Sequence, residues 1–391
     1  MKVLSVNAGS SSLKFTLFEM PAEKELISGL FEKIGGDSFY TIKIMEKKIR
    51  KGKALPTHKT AFEYVVKELL ENNIIKDLAE IKGIGHRMVH GGTYFHQTVL
   101  ASDKNLKRVE SLSPLAPLHN PPAIIGVRSA KEVFPKAVQT LVFDTAFHQT
   151  MSDTEYMYPV PYEWYEKHNV RKYGFHGTSH QYVSLRTNAL LGRSDTRLIT
   201  CHLGNGCSIS AIKDGKCVDT SLGMTPNAGL MMGTRSGDID VMILPYMMKE
   251  LGKTADEIGD ILNKESGLLG VSGHSNDARD IDAAIEKGCK KSALARKMFI
   301  KRVVEHIAKY YVTLGGADAI IFTAGIGEND AVIRKSIIDS LACLGIKIDA
   351  NLNNTRGHET KISTNDSKVA VYIIPTNEEL MIAADTYSII K

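Results

Sequence analysis

Two glycine-rich strand–turn–strand segments, one in each half of the chain, constrain the fold more than any other feature. The first turn is Asn7–Ser12 and the second is His202–Ser208, and apolar residues flank both turns. Gly9 and Gly204 are 195 positions apart in a chain of 391 residues. A repeat at half the chain length predicts a duplicated fold with one copy in each half, although two such hairpins can also arise by chance.

The segments around these hairpins predict a mixed α/β fold. Apolar residues at helical spacing over Phe62–Leu70 indicate a helix, and a long helix is expected over about Lys291–Leu314. The apolar runs Val138–Phe143, Ala319–Thr323 and Val369–Ile374 are predicted to be strands. Alternating strands and helices indicate sheets covered by helices, with ligands expected in a cleft between the halves.

The length favours two globular domains. A chain of 391 residues exceeds what one hydrophobic core usually supports, and its 43% hydrophobic and 24% charged residues are typical of a globular protein. No Gly/Ser-rich linker separates the halves, so we expect a compact hinge near residues 145–150. The last strand leads through Thr376–Glu379 into a closing helix, which we expect to return to the first domain.

Charge, cysteine spacing and apolar runs argue against several classes of protein. The net charge of +5 suits small anionic ligands but is too small and too dispersed for nucleic acid. The densest basic run, Lys47–Lys53, lacks interleaved aromatic residues and is predicted to be a solvated strand edge. Five cysteines without C-x-x-C spacing indicate neither a disulfide framework nor a zinc site and fit a reducing cytoplasm. Without a signal peptide or a run of about 18 apolar residues, neither export nor membrane insertion is expected.

Three glycine-rich turns, each following a strand, are the strongest functional signal. They are Asn7–Lys14, His202–Gly206 and Gly325–Asn329. Glycine lets the backbone approach a phosphate, and free amides at turns or helix starts attract anions. One such turn alone is more often a plain β-turn, whereas three favour a nucleoside triphosphate, because each phosphate needs its own cradle. The first turn adds further groups that could contact phosphate or metal: Ser10, Ser12 and Lys14.

Two familiar nucleotide-binding motifs are absent. Gly252–Thr254 resembles the end of a P-loop, but that motif needs a glycine five positions earlier, where the chain has Met247. Thr254–Glu257 is better explained as a capping box that starts a helix. The segment at Gly325 lacks the third glycine of the dinucleotide-binding fingerprint, which disfavours a dinucleotide site.

Arg87, in the segment His86–Gly92, is a candidate anion ligand. A guanidinium can hold a carboxylate or phosphate with two parallel hydrogen bonds, but a surface ion pair explains a lone arginine equally well. Four further segments could carry chemistry, although the capping of turns and helices explains each one more simply. They are Leu118–Pro122, Phe143–Thr145, Phe175–His180 and Thr234–Asp238.

Together these motifs resemble those of the acetate kinases, the acetokinase branch of the sugar-kinase, heat-shock-chaperone and actin superfamily. The resemblance covers the whole chain in order. It rests on V-N-A-G-S-S-S-L-K at the start, G-H-R-M-V-H-G-G at 85–92, P-L-H-N-P-P at 117–122, F-D-T-A-F-H at 143–148, Y-G-F-H-G-T-S-H at 173–180, H-L-G-N-G at 202–206, G-L-M-M-G-T-R-S-G-D at 229–238, D-A-R at 277–279, G-I-G-E-N at 325–329 and T-N-E-E at 376–379.

The resemblance implies an α/β fold of two duplicated ribonuclease-H-like (actin-like ATPase) domains with an interdomain active-site cleft. It implies an N-terminal domain of residues 1–147 plus about 379–391 and a C-terminal nucleotide-binding domain of residues 148–378. The implied protein is a homodimer. The implied activity is reversible, Mg²⁺-dependent, in-line transfer of the ATP γ-phosphoryl group to acetate, giving acetyl phosphate and ADP.

The resemblance also implies roles for individual residues. Arg87 would hold the acetate carboxylate, and His176 and Arg235 would contact the equatorial oxygens of the transferring phosphoryl group. Asp144 completes the implied catalytic set. The implied wall around the acetate methyl group consists of Val89, Leu118, Phe175 and Pro226, with His119 supporting the site.

The implied metal and nucleotide contacts lie in the glycine-rich segments and near the C-terminus. Asn7, Asp144 and Glu378 would lie around Mg²⁺, for which Mn²⁺ can substitute. The groups implied near the phosphates are Ser10, Ser12 and Lys14. The implied ADP cradle is His202, Leu203, Gly204, Asn205 and Gly206 together with Gly325, Ile326, Gly327, Glu328 and Asn329. The implied adenosine contacts are Asp277, Ala278 and Arg279.

The chemistry of the substrate bears on the role of Asp144. The family convention treats this aspartate as a proton donor and acceptor, yet a carboxylic acid with a pKa of about 4 to 5 is already ionised at neutral pH. Because the nucleophile needs no base, we expect Asp144 to act mainly by fixing Mg²⁺ or its water ligands. Positioning and positive charge would then supply most of the catalysis.

Two alternatives remain at the level of sequence. Val89 is typical of a small acyl pocket, but one methylene changes transition-state binding by only about 1–3 kcal/mol, so a propionate kinase of the same family is the first alternative. The second is a nucleotide-switched, actin-like or chaperone-like binding protein, because a fold does not settle function. Such a protein needs ATP cradles but no carboxylate clamp, and Arg87, His176 and Arg235 favour the kinase.

Overall fold

The computed structural model describes all residues from Met1 to Lys391. Contacts between Cα atoms divide the chain into two compact units. Unit 1 consists of Met1–Phe147 and Asn377–Lys391, and unit 2 consists of His148–Thr376. The chain therefore passes from unit 1 to unit 2 within the segment where we expect a hinge; hinge motion itself stays a prediction.

Unit 1 is built on an eight-stranded sheet with the order β5-β4-β3-β2-β1-β6-β8-β7. Its strands are β1 (Lys2–Ala8), β2 (Ser12–Glu19), β3 (Lys24–Glu32), β4 (Phe39–Ile44), β5 (Lys47–Gly52), β6 (Ile81–Met88), β7 (Val99–Leu100) and β8 (Val138–Phe143). β1 and β2 are antiparallel, as the first glycine-rich turn predicts, whereas β6 and β8 continue the sheet in parallel. β5 is the outermost strand, which confirms the basic run as a strand edge.

Three helices of unit 1 precede the chain's passage to unit 2: α1 (His58–Glu71), α2 (Asp103–Ser111) and α3 (Asn120–Val133). The helical spacing of the apolar residues is confirmed in α1. Phe62, Val65 and Leu69 are buried in one core with Phe15 of β2, whereas Leu70 is exposed. Each such buried side chain contributes about 1.5–3 kcal/mol relative to an exposed one.

Unit 2 repeats this design on a six-stranded sheet with the order β11-β10-β9-β12-β14-β13. Its strands are β9 (Arg197–Leu203), β10 (Cys207–Lys213), β11 (Lys216–Thr220), β12 (Ala319–Thr323), β13 (Thr360–Lys361) and β14 (Ala370–Ile373). In both units, the first three strands are antiparallel neighbours, and two later strands continue the sheet in parallel on the other side of the first strand; unit 1 extends its antiparallel part by β4 and β5. The duplication is thus confirmed, and with it two ribonuclease-H-like α/β domains.

Ten helices belong to unit 2. They are α4 (Asp153–Tyr156), α5 (Tyr162–His168), α6 (Gly177–Leu191), α7 (Ile243–Leu251), α8 (Ala255–Lys264), α9 (Gly267–Ser272), α10 (Ala278–Glu286), α11 (Lys290–Thr313), α12 (Ala324–Asn329) and α13 (Ala331–Ser340). The long predicted helix is confirmed as α11. The predicted capping box is also present, because Thr254 and Glu257 each accept a backbone N–H of the other residue at the start of α8.

Two local predictions need correction. The glycine-rich segment Gly325–Asn329 is not a turn but most of the short helix α12, since a Glu328 carboxylate oxygen accepts the Ala324 N–H at 2.7 Å and closes the helix on its first residue. The last strand, expected over Val369–Ile374, is shorter by one residue at each end. Its flanking residues Val369 and Ile374 are buried, and the Ile374 N–H still donates to the Phe322 carbonyl of β12 at 3.1 Å.

The chain ends in helix α14 (Glu378–Ile390), which packs on β1 and β6 of unit 1. Close approach is possible because the facing residues on β6 are glycines. A Cβ atom on Gly85 would lie 2.3 Å from the Thr386 hydroxyl and 2.6 Å from Ile382.

All five cysteines are free thiols. A separate finding is that no helix combines the length and apolarity needed to cross a bilayer.

Candidate active site

A cavity of about 280 Å³ lies in unit 1 where three strands end. Residues from the β1–β2 turn, from the end of β6 and from the start of α3 line it together. They include Asn7, Gly9, Ser12, Lys14, Arg87, Val89, Leu118 and His119. The structure therefore brings most of the unit 1 residues singled out in the sequence into one small cavity.

Strand register explains this convergence. Val6 of β1 is paired with His86 of β6, so Asn7 and Arg87 both follow at the carboxyl ends of parallel neighbours. β8 is the next parallel strand, and Asp144 comes directly after its last residue. In open α/β sheets ligands bind at the carboxyl ends of strands, which is where these side chains lie.

Arg87 and Asp144 form an ion pair with two parallel hydrogen bonds. The Arg87 Nε donates to Oδ1 at 3.0 Å, and Nη2 donates to Oδ2 at 2.7 Å. The Asp144 side chain is 1% exposed and that of Arg87 is 22% exposed. Burial raises the pKa of Asp144, and the neighbouring guanidinium opposes that rise. The pair uses two of the three guanidinium nitrogens, so Nη1 is left to meet a ligand.

Two glutamates at the start of α14 add negative charge beside this pair. Glu378 raises the pKa values of both Arg87 and Asp144 by its charge, after the larger contributions of burial and of the pair itself. Glu379 forms an ion pair with Lys14. The Asn7 amide, the Asp144 carboxylate and the Glu378 carboxylate are hard oxygen donors, the kind of set that Mg²⁺ prefers.

Three residues of the implied site, namely Ser10, Phe175 and Pro226, do not line this cavity; their roles stay predictions. Ser10 is exposed and is not among the residues that line it. Phe175 and Pro226 belong to unit 2. Phe175 is buried, and its carbonyl accepts a hydrogen bond from His148. The Pro226 carbonyl accepts one from Arg235 at 3.1 Å.

Unit 2 contains a larger pocket of about 780 Å³, a size typical of sites for small molecules and cofactors. It brings together three segments far apart in the sequence, each of which was predicted to contact the nucleotide. Their lining residues are Gly204, Asn205, Asp277, Ala278, Arg279, Gly325, Ile326 and Asn329.

Hydrogen bonds fix the walls of this pocket. The Asn276 amide donates to Asn205 Oδ1 at 2.9 Å and so ties the glycine-rich turn to the segment before α10. Arg279 folds back onto Asp277, with Nε to Oδ1 at 3.0 Å and Nη2 to Oδ2 at 2.6 Å. Hydrogen bonding from the Arg279 side chain is the main reason that the pKa of Asp277 falls to about 2. The Arg279 side chain is 90% exposed, so its guanidinium group is accessible to a ligand.

Sequence reasoning missed seven lining residues of the unit 2 pocket. Asn276 and Asp330–Val332 adjoin predicted segments, so extending each motif by a few positions would have found them. Asp282 lies within α10, and Asn354 and Arg356 lie about 25 residues beyond α12, where no motif marks them. A fully buried arginine, Arg334, donates to the Gly327 carbonyl at 2.9 Å and to the Thr355 carbonyl at 3.0 Å. It therefore joins α12 to the loop that carries Asn354 and Arg356.

Five residues of the implied ADP cradle do not line the pocket. Leu203 and Gly327 are buried in the fold. One Glu328 carboxylate oxygen accepts the backbone N–H groups of Ala324 and Thr376, at 2.7 and 3.1 Å, which gives this side chain a structural task. The remaining two, His202 and Gly206, lie beside His176 instead.

His176 and Arg235 converge on the turn between β9 and β10. A Cβ atom on Gly206 would lie 3.3 Å from Arg235 Nη1 and 3.5 Å from His176 Nε2. His176 starts helix α6 with a positive φ of 56°, and its ring stacks on His202 with centroids 4.2 Å apart. Burial lowers the pKa of Arg235, although this group stays protonated near neutrality. The two side chains predicted to contact a phosphoryl group are therefore neighbours.

A pocket of nucleotide size and a small cavity with an arginine fork, on a duplicated ribonuclease-H-like fold, are typical of a kinase for a small acid. A sequence model described as the acetokinase family matches residues 2–384. The acetate kinase of Bacillus subtilis is 52% identical over 393 residues, which span all of both chains. This chain belongs to the acetokinase family.

Solved structures agree with that assignment. The acetate kinase of Porphyromonas gingivalis is 45% identical, covers all of both chains and superposes with a TM-score of 0.95. A propionate kinase from Francisella tularensis is 46% identical over 99% of each chain, with a TM-score of 0.93. Overall likeness of structure therefore does not separate the two acyl specificities.

Proposed function

We propose that this chain is an acetate kinase, which transfers the γ-phosphoryl group of ATP reversibly to acetate. The observation that carries this proposal is the small unit 1 cavity, where the Arg87 fork lies beside the short aliphatic side chain of Val89. The full-length relative from Bacillus subtilis carries the same name. In this proposal, unit 1 binds the acyl substrate and unit 2 binds the nucleotide.

Arg87 is proposed to bind the carboxylate. Because Asp144 occupies Nε and Nη2, the substrate would accept a hydrogen bond from Nη1, with its methyl group against Val89 and Leu118. His119, which also lines the cavity, would support the site.

The proposed reaction forms one bond and breaks one. An ionised acetate oxygen attacks the γ-phosphorus, and the bond between that phosphorus and the β–γ bridging oxygen breaks, so that ADP leaves with the electron pair. Acetate is ionised near neutral pH, and no base is needed. His176 and Arg235 would donate hydrogen bonds to the equatorial oxygens, where charge is spread in the transition state.

The unit 2 pocket is proposed to bind the nucleotide. Glycines 204 and 325 allow close approach of the phosphates, and the exposed guanidinium group of Arg279 can stack on an adenine ring. Lys14 and Ser12 of unit 1 remain candidates for phosphate contacts. We keep Ser10, Leu203, Gly327 and Glu328 outside the proposed contact set, because they are either not in a pocket or engaged in the fold.

Mg²⁺ is proposed to bind at Asn7, Asp144 and Glu378, with Mn²⁺ as a substitute. When bound, such an ion neutralises phosphate charge and orients the phosphoryl oxygens. In this scheme Asp144 holds Arg87 and the ion rather than exchanging a proton. Asp144→Asn is then expected to lose most of its activity and to regain part of it at high Mg²⁺. Loss of one limb of the pH–rate profile, with no effect of Mg²⁺, would instead identify a proton-transfer role.

Acetate is proposed as the preferred acid over propionate. One extra methylene in a small apolar pocket changes rates by about 10–200-fold, so propionate is expected to be a slower substrate. The propionate kinase alternative is not favoured, because the full-length relatives at about 50% identity are named acetate kinase. Val89→Ala should narrow the difference between the two acids.

We also propose a cytoplasmic homodimer. Helix α7 buries none of its nine residues, and the apolar side chains of Val241, Met242 and Tyr246 are 62–70% exposed at its start. Such an apolar face is typical of a surface that packs against a second copy. The free state of all five cysteines fits a reducing compartment. Sedimentation at micromolar concentration tests the dimer, and Met242→Glu should shift it towards the monomer.

The decisive experiment supplies Mg-ATP with acetate, propionate or butyrate, traps any acyl phosphate with hydroxylamine and follows ADP. Trapped hydroxamate in step with ADP, and more with acetate than with propionate, supports the proposal. ADP release without hydroxamate would support the nucleotide-switched binding protein instead.

A further inference from the structure

A chain of buried hydroxyl and imidazole groups runs behind His176. His176 Nδ1 lies 2.8 Å from the Ser208 hydroxyl oxygen, which lies 2.7 Å from His180 Nε2. The other ring nitrogen of His180, Nδ1, lies 2.7 Å from the Thr200 hydroxyl. Ser208, His180 and Thr200 are each 0% exposed, so no water competes for these hydrogen bonds. We call this series of four side chains the His176 hydrogen-bond chain.

The protons of this chain can be counted. His180 is neutral, because burial, followed by the charges of His148 and His202, lowers its pKa well below the usual value. A neutral ring donates from one nitrogen and accepts at the other, and a hydroxyl has a single proton. The chain therefore has two possible directions, with every proton pointing either towards His176 or away from it.

The distances at Thr200 select one direction. Its hydroxyl can donate to His180 Nδ1 at 2.7 Å or to the Ser210 carbonyl at 3.5 Å, and the second contact is at the limit of a hydrogen bond. The proton of Thr200 thus goes to His180 Nδ1. His180 then donates from Nε2 to Ser208, and Ser208 donates to His176 Nδ1.

We infer that Thr200, His180 and Ser208 are positioning residues that hold His176, whenever its ring is neutral, in the tautomer with its proton on Nε2. That nitrogen faces the Gly206 turn beside Arg235, while His202 stacks on the ring. His176 can then donate a hydrogen bond to a phosphoryl oxygen without first becoming a cation. The benefit for phosphoryl transfer rests on the proposed function, whereas the tautomer does not.

The tautomer can be read directly by NMR of the full-length enzyme with ¹⁵N-labelled histidine, with His176→Gln used to assign the ring. At a pH where the ring is neutral, Nδ1 should resonate as an unprotonated nitrogen and Nε2 as a protonated one. In Ser208→Ala, the spectrum should shift towards a mixture of tautomers. A wild-type ring with its proton on Nδ1 would overturn the inference.

Kinetics supply the second readout. Ser208→Ala should lower kcat about tenfold or more, with KM for ATP and acetate changed less than threefold, because the lost order affects a transition-state donor. Thr200→Val should have a smaller effect in the same sense. The matched control is Ser210→Ala, on the same strand, whose buried hydroxyl pairs with Thr220 and not with the chain. Equal kcat losses in Ser208→Ala and Ser210→Ala would also contradict the inference.

Failure of the inference and failure of the proposed function are distinguishable. An enzyme without acyl phosphate production but with the expected tautomer would refute the function alone. An active acetate kinase in which His176 has its proton on Nδ1 would refute the inference about the tautomer alone. Unchanged ADP affinity and melting temperature in Ser208→Ala show that any loss of kcat does not come from unfolding.

Discussion

The first hairpins of the two units have the same topology but end in different chemistry. In unit 1, Asn7 on β1 is paired with Lys14 on β2, and the turn opens towards an arginine and several carboxylates. In unit 2, His202 on β9 is paired with Ser208 on β10, and the turn lies among imidazoles and hydroxyls, with the Arg235 guanidinium beside it. One architecture therefore carries a turn beside a buried ion pair in unit 1 and a turn beside stacked imidazoles, hydroxyls and one guanidinium in unit 2.

The difference follows from the ligands that each unit is proposed to bind. A carboxylate and a divalent cation are small and highly charged, and they need side chains of opposite charge at close range. A nucleotide is large, and glycines and helix starts can meet its phosphates with backbone N–H groups. The following predictions test this division of labour, from the largest effect to the smallest.

Arg87→Ala should lower kcat/KM for acetate by about 10³-fold, because it removes the proposed carboxylate ligand. It should also cost about 3–5 kcal/mol of unfolding free energy, since Asp144 would stay buried without a partner. Steady-state kinetics and urea unfolding measure the two effects. Arg87→Lys keeps the charge but not the fork and should recover stability more than activity. If Arg87→Ala lost affinity for acetate and for ADP equally, the proposal that the two ligands bind at separate sites would be contradicted.

As the pH falls, the free energy of unfolding should decrease earlier in unit 2 than in unit 1. Burial lowers the pKa of His86 in unit 1 and of His148 in unit 2 from 6.5 to about 4, and unit 2 also holds His180. Between pH 4 and 6.5 the unfolded chain binds more protons, so stability falls as the pH falls, by about 3 kcal/mol for each of the first two histidines.

Hydrogen exchange at pH 7 and 4.5, corrected for intrinsic rates, measures the loss of stability in each unit. Protection should fall first in the strands of unit 2. His148→Gln should reduce that loss, and His86→Gln should leave it unchanged. Earlier loss in unit 1 would contradict the prediction.

Gly325→Ala should raise KM for ATP about tenfold, or about 1.4 kcal/mol, and leave KM for acetate unchanged. A Cβ atom there meets nothing within 4 Å in the protein, but it projects at a residue that lines the nucleotide pocket. Alanine also favours a helix over glycine, so the melting temperature should not fall. Gly259→Ala on α8, equally unobstructed and outside both pockets, is the control. An unchanged ADP affinity would exclude this pocket as the phosphate site.

The smallest effects are expected at helix caps away from both sites. Thr57 caps α1 in unit 1 with one hydrogen bond, whereas Thr254 caps α8 in unit 2 within a full capping box. Each change to alanine should cost about 1 kcal/mol, slightly more at Thr254, with kcat unchanged. Denaturant unfolding gives the costs. A change in kcat at either position would mean that the caps are coupled to the sites.

Much of the fold and part of the site could be predicted from local sequence. Glycine-rich turns between apolar strands mark both hairpins. Arg87 was found as a guanidinium in the segment His86–Gly92, and Asp144 as an aspartate that ends a buried strand. The helix at Gly325–Asn329 was missed because its first turn is closed by a side chain, Glu328, rather than by a strong helix-forming sequence. Asn354 and Arg356 were missed because only the tertiary fold brings their loop to α12.

The sequence by itself indicated the duplication, the two hairpins, the longest helix, three buried strands and the residues that can bind anions, because these depend on periodicity and on side-chain type. Only the tertiary structure decided which of those residues meet. It paired Arg87 with Asp144, placed Lys14 against Glu379 and enclosed Ser208 between two histidines. The physical reason is that strand register and burial, not proximity in sequence, set the distances over which charges and hydrogen bonds act.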